Sequence, residues 1–148
     1  MKLTNSNSAL LLNLLPTMSH LTTITTKMTD PEFAIDAMQN LGHALQSDRS
    51  SIRGFAGRTT EVDYCFAGNG RYDIGLRKRG ATYELVADWM LLGIDQTAFC
   101  KRLTQRYAYC ATRHQLAEQG FEVAHEEVQS DGRIHLVLRR AVSVCHSN

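Results

Sequence analysis

Residues 62–88 read VDYCFAGNGRYDIGLRKRGATYELVAD, and this stretch decides the fold. Apolar and polar residues alternate through it in three runs, which are separated by glycine-containing breaks at residues 68–70 and 79–80. A period of two is typical of strands that bury one face, and such breaks are typical of hairpin turns. The stretch therefore predicts a three-stranded antiparallel meander. Its inward-facing residues would be Val62, Tyr64, Phe66, Tyr72, Ile74, Leu76, Tyr83, Leu85 and Ala87.

The lengths of the two breaks also predict a register. A three-residue loop after the first strand would place Phe66 opposite Tyr72. A two-residue turn at residues 79–80 would place Leu76 opposite Tyr83. Both turns keep every apolar residue on one face, so the predicted register is consistent with the hydrophobic pattern.

The same register brings carboxylates together on the opposite face of the meander. Asp63, Asp73 and Glu84 would surround Gly75, which leaves space above the sheet. Three carboxylates at one place could hold a divalent cation or share a proton. The alternative is a solvated polar face with cross-strand ion pairs of small individual energy. The cluster is therefore a possible ligand site.

The flanking segments predict two helices and further strands. They are a strand at residues 20–26, a helix from Pro31 to about Leu45, a longer helix at 96–119 between Asp95 and Gly120, and a hairpin at 121–140. Asp95 is a typical N-cap residue, and a glycine commonly follows the last turn of a helix. We therefore predict an α+β fold, a mainly antiparallel sheet with two helices packed on one face, which is a two-layer sandwich.

The second predicted helix carries a basic face. Arg102, Arg106 and Arg113 fall within one angular sector of the helix, and Gln105 and Tyr109 flank them. Such a stripe could bind an acidic protein surface or phosphates, although an ordinary solvent-exposed helix face has the same composition. These five residues are the predicted binding surface.

The composition predicts no metal, cofactor or catalytic residue. The formal net charge is +1, from 16 Lys and Arg against 15 Asp and Glu, which is unlike a nucleic-acid packaging protein. The four cysteines, at positions 65, 100, 110 and 145, lack the short Cys-x2-4-Cys spacing of zinc sites. The glycine-rich residues 54–57 and 68–70 match neither phosphate-binding pattern, so we interpret them as turns.

The two ends of the chain differ from its centre. Residues 8–15 read SALLLNLL, which is too short to span a bilayer, so no membrane insertion is predicted. Residues 1–17 are expected to be a disordered extension, either a misplaced start or a targeting segment. Residues 18–142 are expected to form one α+β domain, and residues 143–148 a tail.

Several motifs together resemble one protein family. The longest are YELVADW at residues 83–89 and LTQRYAY at residues 103–109; the others are MSH at 18–20, IRG at 52–54, YDIG at 72–75, QGF at 119–121 and DG at 131–132. The chain resembles the cyanobacterial and algal-plastid family called hypothetical chloroplast reading frame thirty-five, a domain of unknown function. The resemblance implies a cyanobacterial cytoplasm or a plastid stroma, and it carries no assigned activity.

Three functions remain open from the sequence. The favoured one is a non-catalytic protein-interaction or adaptor module that uses the basic face of the second helix. The alternative is a small-ligand or metal-binding enzyme that uses Asp63, Asp73 and Glu84, with Arg71 or Arg77 for an anionic group. The third, weaker alternative is nucleic-acid binding through the same basic helix face.

Overall fold

The computed structural model describes residues 21–142; the predicted extension and tail lie outside the described residues. In chain order the elements are β1 (Thr22–Thr25), α1 (Pro31–Asn40), β2 (Ser51–Arg53), β3 (Thr59–Glu61), β4 (Tyr64–Ala67), β5 (Asp73–Arg79), β6 (Thr82–Ala87), α2 (Trp89–Leu92), α3 (Gln96–Glu118), β7 (Phe121–Val128) and β8 (Ile134–Arg140). A 3-10 turn at Phe55–Gly57 joins β2 to β3.

The predicted meander forms the centre of a four-stranded antiparallel sheet. The strand order is β1-β6-β5-β4, so β1 pairs with the last strand of the meander. Strands β2 and β3 form a separate two-stranded sheet, and β7 and β8 form another. This architecture confirms the predicted α+β class with a mainly antiparallel sheet.

The predicted register of the meander is wrong by two residues at both turns. Phe66 pairs with Ile74, and Leu76 pairs with Leu85. The first connection is longer than predicted, and Gly68 N donates to Tyr72 O across it at 3.1 Å. A shift of two residues preserves the side to which each side chain points. The alternation therefore predicted the faces correctly, although it could not fix the pairing.

Both long helices pack on one face of the four-stranded sheet, as predicted. Ala34, Ala37 and Met38 of α1 and Phe99 and Leu103 of α3 are buried there. The sheet contributes the other side of this core with Phe66, Ile74, Leu76, Tyr83, Leu85 and Ala87. These two layers form the main hydrophobic core.

The first helix is shorter than predicted. It begins after Asp30, whose side chain accepts the amide of Glu32 at 2.8 Å, and it ends at Asn40 rather than near Leu45. Gly42 follows with a φ of 92°, which a helix does not accommodate. Leu45 instead forms a β-bridge with Phe66 at the free edge of β4. The helical spacing of apolar residues continues beyond Asn40, although the segment that contains Leu45 pairs with β4 instead of forming a helix.

The longest helix extends beyond the sheet. The Asp95 side chain accepts the amide of Ala98 at 2.7 Å, which confirms the predicted cap. A 23-residue helix is about 34 Å long, whereas a six-residue strand spans about 20 Å. His114, in the part of α3 beyond the sheet, is exposed beside Phe33 of α1. The C-terminal half of α3 is available to the β7–β8 hairpin.

The second face of the sheet is not a solvated polar surface as predicted. The β2–β3 hairpin lies over it and forms a second cluster from Ile52, Val62, Cys65 and Val86. Val62, predicted on the helix-packed face, belongs to this opposite cluster. It lies between the end of β3 and the start of β4, where the break in the strand changes the side to which it points.

Within the part of the chain that the structure describes, no helix has the length and apolar character needed to cross a bilayer.

Candidate functional site

The basic face of α3 is partly occupied by the chain's own hairpin. The Tyr109 hydroxyl donates a hydrogen bond to the Glu126 carboxylate of β7. Arg106 Nη1 lies 3.9 Å from the other Glu126 oxygen. Arg113 Nη1 donates to the Tyr109 hydroxyl at 3.4 Å, and both guanidinium groups lie 5.7 Å from the centre of the Tyr109 ring. Tyr109 is therefore held between two arginines and one carboxylate.

The proton of Tyr109 is held firmly in this arrangement. Burial, followed by the hydrogen bond to Glu126, raises the pKa of Tyr109 above its ordinary value. Glu126 then accepts from a neutral phenol rather than repelling a phenolate. Tyr109 stabilises the contact between α3 and the β7–β8 hairpin, and its phenol is unsuited to act as a base near neutral pH.

The other two predicted residues of this face differ in their surroundings. Gln105 borders a groove of about 210 Å3 between α3 and β8, together with Ile134 and Leu136. Arg102, one turn earlier, is exposed, and no ion pair to it is present among residues 21–142. Three of the five predicted residues thus lie against the hairpin, whereas Arg102 and Arg113 are exposed. Their role in binding stays a prediction.

The predicted acidic cluster is not formed, because its three carboxylates have separate partners. Asp63 Oδ2 accepts the backbone amide of Lys78 at 2.6 Å. Glu84 lies 3.3 Å from Arg77 Nη2 and 3.5 Å from Arg79 Nε. Among residues 21–142, no group of three or more His, Cys, Asp or Glu side chains is placed to hold a metal ion.

The physical reason for this separation is the register together with the β2–β3 hairpin. In the observed pairing Glu84 lies opposite Arg77 rather than opposite Gly75. The space predicted above Gly75 is filled: a Cβ atom at that position would lie 2.4 Å from Val62 Cγ1. The glycine therefore admits a packed side chain and not a ligand.

Asp73 instead forms a buried ion pair that the sequence did not predict. Its side chain is 1% exposed and lies 3.1 Å from Arg49 Nη1 and 3.1 Å from Arg53 Nε. Arg53 also donates through Nη2 to Oδ1 at 3.3 Å and through its backbone amide to Oδ2 at 3.3 Å. The hydrogen bond to Asp73 raises the pKa of Arg53 above its ordinary value. One carboxylate thus orients two arginines.

This pair borders a cavity of about 620 Å3 at the end of the sheet. Its lining residues are Arg53, Gly54, Ala56, Gly57, Arg71 and Tyr72. Ala56 has a φ of 56° and a ψ of 35°, in the left-handed region that few non-glycine residues occupy. No spacing pattern in the sequence links residues 53–57 to residues 71–72, because the sheet alone brings them together.

A second, apolar pocket of about 430 Å3 lies between β1 and α3. Ile24, Leu85 and Leu103 contribute to its walls, and Tyr107 closes one side. The Tyr107 hydroxyl accepts the backbone amides of Thr29 at 3.1 Å and Asp30 at 3.0 Å. The tyrosine therefore connects α3 to the segment that enters α1.

The family of the chain follows from a comparison of its sequence with family models. The model described as "Protein of unknown function (DUF1257)" matches residues 37–137. The chain belongs to this family. In this DUF1257 chain the matched region includes the Asp73 ion pair, the arginine-lined cavity and nearly all of the β7–β8 hairpin.

Curated relatives support the same assignment. The chain is 32% identical to "Uncharacterized protein ycf35" of Cyanophora paradoxa, 30% to that of Guillardia theta and 31% to that of Pyropia yezoensis. Each match covers 125 residues, 83% of this chain and 98% of the relative. These matches confirm the resemblance noted from the motifs. No solved structure matches the chain.

Proposed function

We propose that this DUF1257 protein is a non-catalytic protein-interaction module whose contact surface combines α3 with the β7–β8 hairpin. The observation that carries this proposal is the position of the hairpin. It lies outside the four-stranded sheet and contacts α3, and it exposes Val128, Val137 and Leu138 to 51%, 46% and 39%. Val128 and Leu138 point to the side of the hairpin that contacts α3, whereas Val137 points to the other side. Exposed apolar side chains beside a helix are typical of protein-binding surfaces.

The charge of the helix indicates the chemistry of the partner. Residues 96–118 contain Lys101, Arg102, Arg106 and Arg113 against Glu118 as the single acid. Arg102 and Arg113 are exposed, and they would complement acidic groups around an apolar centre on the partner. The proposed partner is therefore a protein surface with an apolar centre and an acidic rim.

The same geometry makes nucleic-acid binding less favoured. Glu126 places a carboxylate within the basic face and engages Arg106 and Tyr109. A phosphate backbone would meet that negative charge, whereas an acidic protein rim can contact Arg102 and Arg113 on either side of it.

The test compares partner capture by the full chain with capture by two charge-reversal variants. Arg102→Glu/Arg113→Glu changes the proposed surface. Lys27→Glu/Lys78→Glu makes the same change of charge at two exposed lysines, one shortly after β1 and one in β5. Proteins from a photosynthetic cell lysate are identified by quantitative cross-linking mass spectrometry, which also reports the contact residues.

The proposal predicts one partner that cross-links to α3 or the hairpin, is retained by the lysine variant and is lost from the arginine variant. Replacement of Leu138 by Ser should weaken the same interaction, because it removes apolar contact without a change of charge. Equal capture by both charge variants would contradict the proposed surface, as would cross-links confined to other elements.

The names of the relatives support a proposal for the cellular compartment of the protein. The relatives are called ycf35, which agrees with the resemblance to a chloroplast reading frame. This supports a cyanobacterial cytoplasm or a plastid stroma. Immunodetection in fractionated cells tests it, and recovery outside these fractions would contradict it.

A further inference from the structure

The arginine-lined cavity has features that the proposed interaction surface does not use. Its volume of about 620 Å3 falls within the range of small-molecule sites. It is bordered by Arg53 and Arg71 and by the backbone of the Phe55–Gly57 turn. These elements are distant in sequence, and they meet where β2 packs over β5.

Arg53 is oriented before any ligand arrives. Its Nε and Nη2 atoms donate to Asp73, so the guanidinium plane is held in one direction. Nη1 has no hydrogen-bond partner among residues 21–142, and the side chain is 44% exposed. An arginine held along one edge can offer the other edge to an oxyanion with little loss of conformational entropy.

The local charge is unbalanced. The residues that line the cavity include two arginines, Arg53 and Arg71, and no carboxylate. Asp73 is already shared by Arg49 and Arg53. Arg71 is exposed and has no ion pair within the described part of the chain. The cavity therefore has a surplus of positive charge that an anion would neutralise.

The turn at one side of the cavity allows close approach to the backbone. Gly57 lacks a side chain and has nothing within 4 Å of where a Cβ atom would lie, and Ala56 in its left-handed conformation carries only a methyl group. Small residues next to arginines let an anion reach backbone amides as well as guanidinium groups. Tyr72 also borders the cavity, and its side chain packs against the main core.

We propose that this cavity binds a phosphate-bearing small molecule, with Arg53 and Arg71 contacting its phosphate oxygens. Arginine binds phosphate in a bidentate geometry. Two guanidinium groups that border one cavity therefore suit a ligand with several anionic oxygens. The inference is independent of the proposed protein partner, because it concerns a different surface and is tested on the isolated chain.

The experiment titrates the full chain with inorganic pyrophosphate at constant ionic strength, up to about 10 mM, and follows backbone amides by NMR. The expected result is a saturable shift of the amides of Gly54, Ala56, Gly57 and Tyr72. Sodium chloride at the same ionic strength should leave these amides unshifted, because simple screening does not need the cavity.

Two variants connect the signal to the arginines. Arg71→Gln should weaken pyrophosphate binding by about tenfold, which corresponds to the loss of one charge-assisted contact. Lys78→Gln removes an exposed cation of β5 that does not line the cavity, and it should bind as the wild type does. Both changes are at exposed side chains, so unfolding midpoints without ligand should match the wild type and show that folding is intact.

Three results would overturn the inference. They are no saturable shift in the wild type, shifts confined to residues outside the cavity, and equal weakening in Arg71→Gln and Lys78→Gln. Failure here would leave the partner-capture result unaffected, since that result depends on α3 and the hairpin.

Discussion

Asp73 Oδ2 lies 3.1 Å from Arg53 Nε, although 19 residues separate the two in the chain. The carboxylate is 1% exposed, whereas the Arg53 side chain is 44% exposed. The pair therefore joins a buried acid on the central strand β5 to a solvent-facing cation on β2. It attaches the β2–β3 hairpin to the sheet and also orients one wall of the arginine-lined cavity.

Replacement of Asp73 by Asn should destabilise the protein. The change leaves Arg49 and Arg53 beside a neutral group, and it replaces one of the two acceptor oxygens by an NH2 group that cannot accept from a guanidinium. Because both arginines can still reach water, we expect a loss of about 1–3 kcal/mol in the free energy of unfolding, measured by denaturant titration. The matched control is Asp131→Asn, whose ion pair with Arg133 is exposed and should cost much less. Equal losses would show that burial does not strengthen the Asp73 pair.

Replacement of Gly75 by Ala should disturb the second core. The added methyl group would lie 2.4 Å from Val62 Cγ1, so the β2–β3 hairpin must move away from the sheet. We expect a destabilisation of about 1–3 kcal/mol by thermal or chemical unfolding. Val62→Ala in the same chain should recover part of this loss, because it makes room for the methyl group. Strictly additive losses in the double variant would contradict the contact.

Replacement of Glu126 by Gln should loosen the β7–β8 hairpin on α3. The amide accepts more weakly from Tyr109 and carries no charge for Arg106. Hydrogen–deuterium exchange in β7 and β8 should accelerate by about two- to tenfold, and exchange in the four-stranded sheet should not change. Glu127→Gln, at the adjacent position, removes an identical charge without that contact and is the control. Similar exchange in both variants would show that Glu126 does not hold the hairpin.

Two tyrosines, the buried Tyr83 and the half-buried Tyr107, should affect alkaline stability in opposite directions. Burial, followed by the neighbouring Tyr64, raises the pKa of Tyr83 above its ordinary value of about 10. Burial acts in the same direction on Tyr107, but hydrogen bonds from Thr29 and Asp30 outweigh it and lower the pKa of Tyr107.

The signs follow from proton linkage. The contribution of Tyr83 is present below the unfolded-state pKa and is lost as pH rises toward the folded-state value, so Tyr83→Phe should reduce the alkaline loss of stability. The contribution of Tyr107 is present above the unfolded-state pKa and is lost as pH falls through the folded-state value. Tyr107→Phe should therefore become progressively less stable than the wild type as pH rises. Denaturant titrations between about pH 8.5 and 11 measure both differences, and slopes of the same sign would contradict the assignment.

Most of the secondary structure was predictable because it depends on short-range chemistry. Asp95 and Gly120 marked the ends of α3, since an N-cap side chain and a residue in the left-handed region act within one turn. The alternation in β4, β5 and β6 correctly predicted which side chains of these strands face the helices. The end of α1 was wrong because Leu41 and Leu45 continue a helical spacing while packing outside the helix.

The candidate sites could not be predicted to the same degree. The basic residues of α3 were identified from their helical spacing, but nothing in that spacing indicated that Glu126 would lie against Tyr109. The predicted cluster of Asp63, Asp73 and Glu84 depended on a register that two hairpin turns left undetermined. The partnership of Asp73 with Arg49 and Arg53 had no local signal.

The order of apolar and polar residues was sufficient for the class of the fold, for the faces of its central strands and for its family. These properties arise from periodicity and from motifs that are read along the chain. Tertiary structure decided the strand register, the burial of the second sheet face beneath Val62, and the cavity between Arg53 and Arg71. The reason is that a register shift of two residues leaves every face unchanged, so only long-range packing distinguishes one pairing from another.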